Sequence, residues 1–276
     1  MRLSELLELY LASHPMGRDS AKLVARSIRR CTEVLGDVDV NMITELDVVR
    51  LRQTIDQQGV KSRAASACKW LRILLNEAWR LRIVKDPPRV WPNFRETMEL
   101  PDSWSEDEAA RLLTVATAIP GELCGIPAGL WFRAWLLVAW DTALRASQMF
   151  RIHWEDVNLD AKTIVVRAQS GTKSYRAVVK YLSEESQSAL CSMQEYGREG
   201  LVFKFPDWPK SRRDFFTAFR LICYLANVPA PREKGLQLTH KLRRSTITAA
   251  ARKSLDAAQK HAGHASLRTT LEHYVD

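Results

Sequence analysis

The first third of the chain places apolar residues at helical spacing. The pattern predicts helices over 4–13, 19–35, 44–58 and 61–84. Gly36 stops the second, Thr44 caps the third and Gly59 stops it. No strand-like alternation and no internal repeat interrupts them, so four helices on short loops predict a small helical bundle. Along the fourth, Lys61, Ala65, Lys69, Arg72, Asn76 and Arg80 fall on one face, while Leu71, Leu74, Leu75, Ala78 and Leu81 form a core stripe opposite. The stretch 86–104 holds Pro87, Pro88, Pro92 and Pro101 and cannot be continuous helix. Ser105 and Glu108 then make a capping box, and helix resumes over 105–118.

Beyond that point the pattern mixes. Residues 131–142 are almost continuously apolar, which predicts a buried helix. Two β-rich runs, 163–167 and 175–180, flank the turn Gly171-Thr-Lys173-Ser, as a hairpin or part of a small sheet. Helices are predicted over 183–196, 210–226, from His240 with Thr239 as N-cap, and over 254–262 and 266–274. The expected fold is mainly α with a small antiparallel β-sheet. It has a helical domain at 1–85, a Pro-rich linker at 86–104 with the boundary near residue 95, and a mixed α/β domain at 105–276.

Charge narrows the partner. The chain of 276 residues carries a net charge of +9. Residues 1–95 hold 17 Lys/Arg against 11 Asp/Glu, and the remainder 24 against 21. The smaller part thus holds most of the excess, which favours a polyanionic partner, nucleic acid first. Lys61, Lys69, Arg72 and Arg80 are candidate phosphate contacts, joined by Arg26, Arg29 and Arg30 on the second helix and by Arg212 and Arg213 further on. The alternative for each is an ordinary solvated face. Cys31, Cys68, Cys124, Cys191 and Cys223 form no Cys-x-x-Cys pair and read as reduced, mostly buried small side chains. No apolar run is long enough to span a bilayer, and the acidic residues in the first helix do not suit a signal peptide. A cytoplasmic, nucleoid-associated protein is expected.

The candidate chemistry lies in 239–274. His240 and Arg243 stand one helical turn apart, with His264 and Tyr274 following. Arginine's fork of donors suits phosphate oxygens, histidine moves protons near neutral pH, and a tyrosine hydroxyl can attack phosphorus. His261, His264 and His273, with Glu272 nearby, also allow a zinc reading, although the spaced cysteines common in structural zinc sites are missing. No metal or other cofactor is expected.

The ordered set His240-x-x-Arg243, Gly263-His264, Tyr274 resembles the C-terminal signature of the tyrosine recombinases, the phage integrase family. Upstream, Thr142-Ala-Leu-Arg145-Ala-Ser-Gln148 is similar to the context of that family's first catalytic arginine, with Ala143 in place of a usual Gly and Gln148 in place of a usual acid. In isolation the better reading of Arg145 is a structural ion pair, for example to Asp141 or Asp156, and that of Lys173 a solubilising turn residue. The resemblance implies an N-terminal core-binding domain of SAM-like fold and a tyrosine-recombinase catalytic domain. It implies Tyr274 as nucleophile, Arg145 and Arg243 on the non-bridging oxygens, Lys173 as general acid, His240 as base or proton relay, and His264 on the phosphate. The implied partner is double-stranded DNA, bound by a homo-oligomer, a tetramer on two duplexes. The chain ends two residues after Tyr274, where family members often continue with a segment that docks on a neighbour. Two other readings stay open: a type IB topoisomerase, and a recombinase-derived DNA-binding protein without catalysis, for which Gln148 is the best support.

Overall fold

The computed structural model describes residues 1–57, 61–92, 102–167, 177–208, 210–230 and 237–263, with the backbone alone for residues 61, 62, 212 and 237. The chain divides into two compact units, Met1–Met98 and Glu99–Asp276.

The first unit is helical. Its elements are α1 (Leu3–Ser13), α2 (Arg18–Leu35), α3 (Glu45–Gln57) and α4 (Lys61–Arg80), with a 3₁₀ turn at Val40–Met42. The core is the apolar face of each: Leu3 and Leu6 of α1, Val24 and Ile28 of α2, Leu51 and Ile55 of α3, and Leu71, Leu74, Leu75 and Ala78 of α4. Gly36 ends α2 at φ +82°. The hydroxyls of Ser27 and Ser66 meet at 2.9 Å and tie α2 to α4.

The fourth helix is shorter than its periodicity predicts, and Leu81 is not part of the core. Arg82 takes φ +60°. The N–H of Arg82 then bonds the Trp79 carbonyl, and the N–H groups of Ile83 and Val84 bond that of Ala78. This is a Schellman-type stop built on arginine instead of glycine. It turns Leu81 outward, 46% exposed, and puts Val84 in the core at 2%. Residues 86–92 stay on this unit, with the Arg89 N–H on Glu45 and the Trp91 indole N–H on the Pro88 carbonyl.

The second unit begins with α5 (Glu106–Thr117), whose capping box joins Ser105 and Glu108 in both directions. A short hairpin, β1 (Glu122–Leu123) and β2 (Ile126–Pro127), follows. Then come α6 (Ala128–Thr142) and a single turn, α7 (Ala146–Met149). Strands β3 (Val157–Asn158), β4 (Thr163–Val166) and β5 (Val178–Tyr181) pair antiparallel in that order. Helices α8 (Glu184–Gln194), α9 (Arg212–Leu225), α10 (Gln237–Lys253) and α11 (Leu255–Ala262) complete it.

Helix α6 is the axis of this unit, buried on nearly every side. Trp131 and Trp135 pack with Phe150, Phe215 and Phe219. Gly129 allows the close approach of α6 to α5: a Cβ there would lie 2.2 Å from the Thr117 carbonyl oxygen. Trp104, at the end of the proline-rich stretch, belongs to this core. No helix among the described residues is long and apolar enough to cross a membrane.

Candidate active site

The site is built where α6 ends. Ala143 caps the helix in the left-handed region, φ +50° and ψ +28°. A glycine would take this conformation with less strain. The turn releases the chain so that Arg145 starts α7 with an extended backbone. The Arg145 N–H bonds the side-chain oxygen of Gln148 at 3.0 Å. Gln148 therefore closes this turn as a neutral acceptor. Arg145 itself is exposed. Neither suggested carboxylate pairs with it. Asp141 accepts from the Ser183 N–H and hydroxyl at 2.7 Å and from the Ser186 hydroxyl, which holds the start of α8. Asp156 is paired with Arg167.

Helix α10 supplies the second arginine. It starts at Gln237, so Thr239 is not the N-cap expected but a helical residue, 5% exposed. Leu238 and Leu242 pull the first turns into the apolar core, which favours the earlier start. His240 faces outward, whereas Arg243 is 5% exposed. The Arg243 guanidinium reaches two other elements: Nη1 donates to the Ala143 carbonyl, and Nη2 to the Ala262 carbonyl at 2.6 Å. One side chain thus joins the turn before Arg145 to the end of α11, immediately before Gly263 and His264 in sequence.

A third cation was missed by sequence reading. Lys180 of β5 is 8% exposed, and its Nζ donates to the His261 carbonyl at 2.5 Å. In the sheet it stands opposite Ile164, which is fully buried. Period-two alternation marks Lys180 as inward-facing only once this register is known. Burial, with Arg243 close by, pushes the Lys180 ammonium down to about 8. Burial, then Lys180 and Arg243, push His261 down to about 4, against the opposing pull of Asp141 and the Trp140 backbone. His261 is therefore a neutral packed side chain. No group of candidate metal ligands occurs among the described residues.

Lys173, His264 and Tyr274 lie outside the described residues; of the expected six the structure describes Arg145, His240 and Arg243, and it bonds Arg243 to the Ala143 carbonyl in the turn before Arg145. Of the candidate DNA contacts, Arg26, Arg29, Lys69, Arg72, Arg80 and Arg213 are exposed and Arg30 is half-buried. Arg29 is paired with Glu33, and Arg80 grips Glu77 with two hydrogen bonds. The side chains of Lys61 and Arg212 lie outside the description.

Comparison with known proteins adds to this geometry. A family model described as the phage integrase family matches residues 103–276. A tyrosine recombinase XerA of Thermococcus kodakarensis is 27% identical over 277 residues, covering 96% of this chain and 88% of that protein. A tyrosine recombinase XerC of Xanthomonas campestris pv. campestris is 26% identical over 168 residues, 60% of this chain and 49% of its own length. Among solved structures, the Tn1549 transposon integrase in complex with a circular intermediate DNA superposes with a TM-score of 0.78 at 14% identity, covering 100% of this chain and 96% of that one. A lambda integrase dimer bound to a COC′ core site gives a TM-score of 0.71 at 17% identity, covering 98% and 97%. At such identities the structural likeness concerns the fold.

Proposed function

Because the chain belongs to the phage integrase family, the tyrosine recombinases, we propose that it cuts and rejoins double-stranded DNA at specific sites through a covalent 3′-phosphotyrosyl intermediate on Tyr274. The observation that carries this reading is the placement of Arg243. It is buried, and backbone carbonyls on both sides hold it between the Arg145 turn and the end of α11. A guanidinium fixed in this way is preorganised for charge that develops on a phosphate in the transition state.

The Tyr274 oxygen attacks the scissile phosphorus, and the 5′ oxygen leaves. A new phosphodiester to tyrosine replaces the old one, so no bond energy is lost to water. Arg145, exposed at its turn, and Arg243, fixed behind it, meet the non-bridging oxygens. Arginines here do what metal ions do in many phosphoryl-transfer enzymes. Lys173 delivers a proton to the leaving 5′ oxygen. His240 takes the proton of Tyr274, whose ordinary pKa of about 10 demands such help near neutrality. His264 hydrogen-bonds the phosphate. Attack by a 5′ hydroxyl from the second duplex reverses the step. The working form is a homo-oligomer, a tetramer on two duplexes, acting on DNA in the cytoplasm at the nucleoid.

Gln148 does not argue for a protein without catalysis, since its side chain makes the hydrogen bond that closes the Arg145 turn. The test is a nicked suicide duplex incubated with the protein in EDTA and run on a denaturing gel. A protein–DNA adduct is expected, absent in Tyr274→Phe and slowed in Lys173→Ala. Sequence-specific binding with no adduct would overturn the catalytic reading.

A further inference from the structure

The last turn of a helix leaves four carbonyls without intrahelical donors. In α11 these belong to Gln259, Lys260, His261 and Ala262. The N–H of Gly263, in the left-handed cap at φ +67°, serves those of Gln259 and Lys260. Lys180 takes the His261 carbonyl and Arg243 takes that of Ala262. All four carbonyls have a donor, and two of the three donors are cations from different elements, a sheet strand and a neighbouring helix. Cations at a helix C-terminus also meet the negative end of its dipole.

We propose that Lys180 is a positioning residue: with Arg243 it forms a two-cation clamp that fixes the end of α11, the helix that precedes the proposed phosphate ligand His264 in the chain. The proposal rests on the recombinase reading. It is carried by three features. First, Lys180 stands at an inward sheet position opposite Ile164, where an apolar side chain would satisfy the packing. Second, its ammonium donates to a helix-end carbonyl, and no carboxylate pairs with it among the described residues. Third, Lys180 is the third residue of β5, the strand that follows Lys173 in the chain. Lys180 therefore links β5 to the helix that ends one residue before Gly263. The depressed Lys180 ammonium agrees with a buried cation held beside Arg243. Asp141 of α6 supplies the nearby negative charge felt by His261.

The experiment compares wild type, Lys180→Met and Lys180→Arg in the full chain. Hydrogen exchange over 255–263 reads the clamp without reference to catalysis, and Lys180→Met should speed it by about tenfold or more. Adduct formation on the suicide duplex should fall roughly 10- to 100-fold, as a misplaced reacting group predicts. DNA affinity should stay within about twofold, since Lys180 is buried. Lys180→Arg should recover most of both losses. The melting temperature of Lys180→Met should be no lower than wild type, because a buried charge has been removed. Unchanged exchange in Lys180→Met would overturn the clamp. Faster exchange with unchanged adduct formation would reduce Lys180 to a structural residue and overturn the positioning role. A wild type that binds its site without forming an adduct would defeat the recombinase reading and the positioning role together, while the exchange data would still decide the clamp.

Discussion

The two units treat charge in opposite ways. Among the described residues, the first unit buries one polar side chain, Ser27, and satisfies it with Ser66. Its cations Lys69 and Arg72 stand outside on α4. The second unit buries Asp156, Lys180, Lys241 and Arg243. Outward cations contact a polyanion from solvent and need little support, but each contributes weakly and is screened by salt. Inward cations are expensive to bury unless hydrogen-bonded, and they gain fixed geometry in return. The comparison sharpens between the two buried lysines. Lys241 has a carboxylate, Asp102 at 2.5 Å, and the Trp104 ring at 5.3 Å, which suffices for a structural role. Lys180 has a carbonyl and a neighbouring guanidinium.

If the inward cations are catalytic furniture, Arg243→Met should cut adduct formation by about 10³-fold, near 4 kcal/mol, in single-turnover assays. Binding to the duplex should fall far less. Lys180 should leave a signature in stability. Its folded pKa, about 8, lies below its ordinary 10.5. Between those values the unfolded chain holds a proton that the folded chain lacks, so stability rises with pH. Urea melts should show wild type gaining up to about 3 kcal/mol over that window relative to Lys180→Met. His261 acts on the acid side. Its folded pKa of about 4 lies below 6.5, so stability is lost as pH falls through that interval. The loss is at most about 3 kcal/mol, and His261→Gln should flatten it. Ala143→Gly relieves backbone strain but deletes a buried methyl and loosens the unfolded chain. The net change in a thermal melt should stay within about 1 kcal/mol of zero. The outward cations should show the smallest effects. Lys69→Ala and Arg72→Ala should each lower the salt slope of DNA binding by about 0.9, with adduct formation unchanged at saturating DNA.

The same contrast explains what was legible in the sequence. The first unit could be read because its helices are amphipathic and α2 ends at a glycine. Its one misplaced core residue, Leu81, follows from a stop at Arg82, where a side-chain-bearing residue takes a glycine's conformation and leaves no trace in the pattern. In the second unit the ordered motif singled out Arg145, His240 and Arg243. It could not show that Arg145 is exposed while Arg243 is buried, since that depends on how α10 seats Leu238 and Leu242. The N-cap role of Thr239 failed for the same reason: tertiary packing extended the helix past a good capping residue. Lys180 escaped because a lysine in a β-rich run normally faces solvent. Its inward position follows from the pairing of β4 with β5.

The most direct test is a peptide map of the covalent adduct. Protein trapped on the suicide duplex is digested with nuclease and trypsin, and the nucleotide remnant is located by mass spectrometry. The account predicts it on the peptide 269–276, at Tyr274. A remnant on Tyr175, Tyr181, Tyr196 or Tyr224 would contradict it.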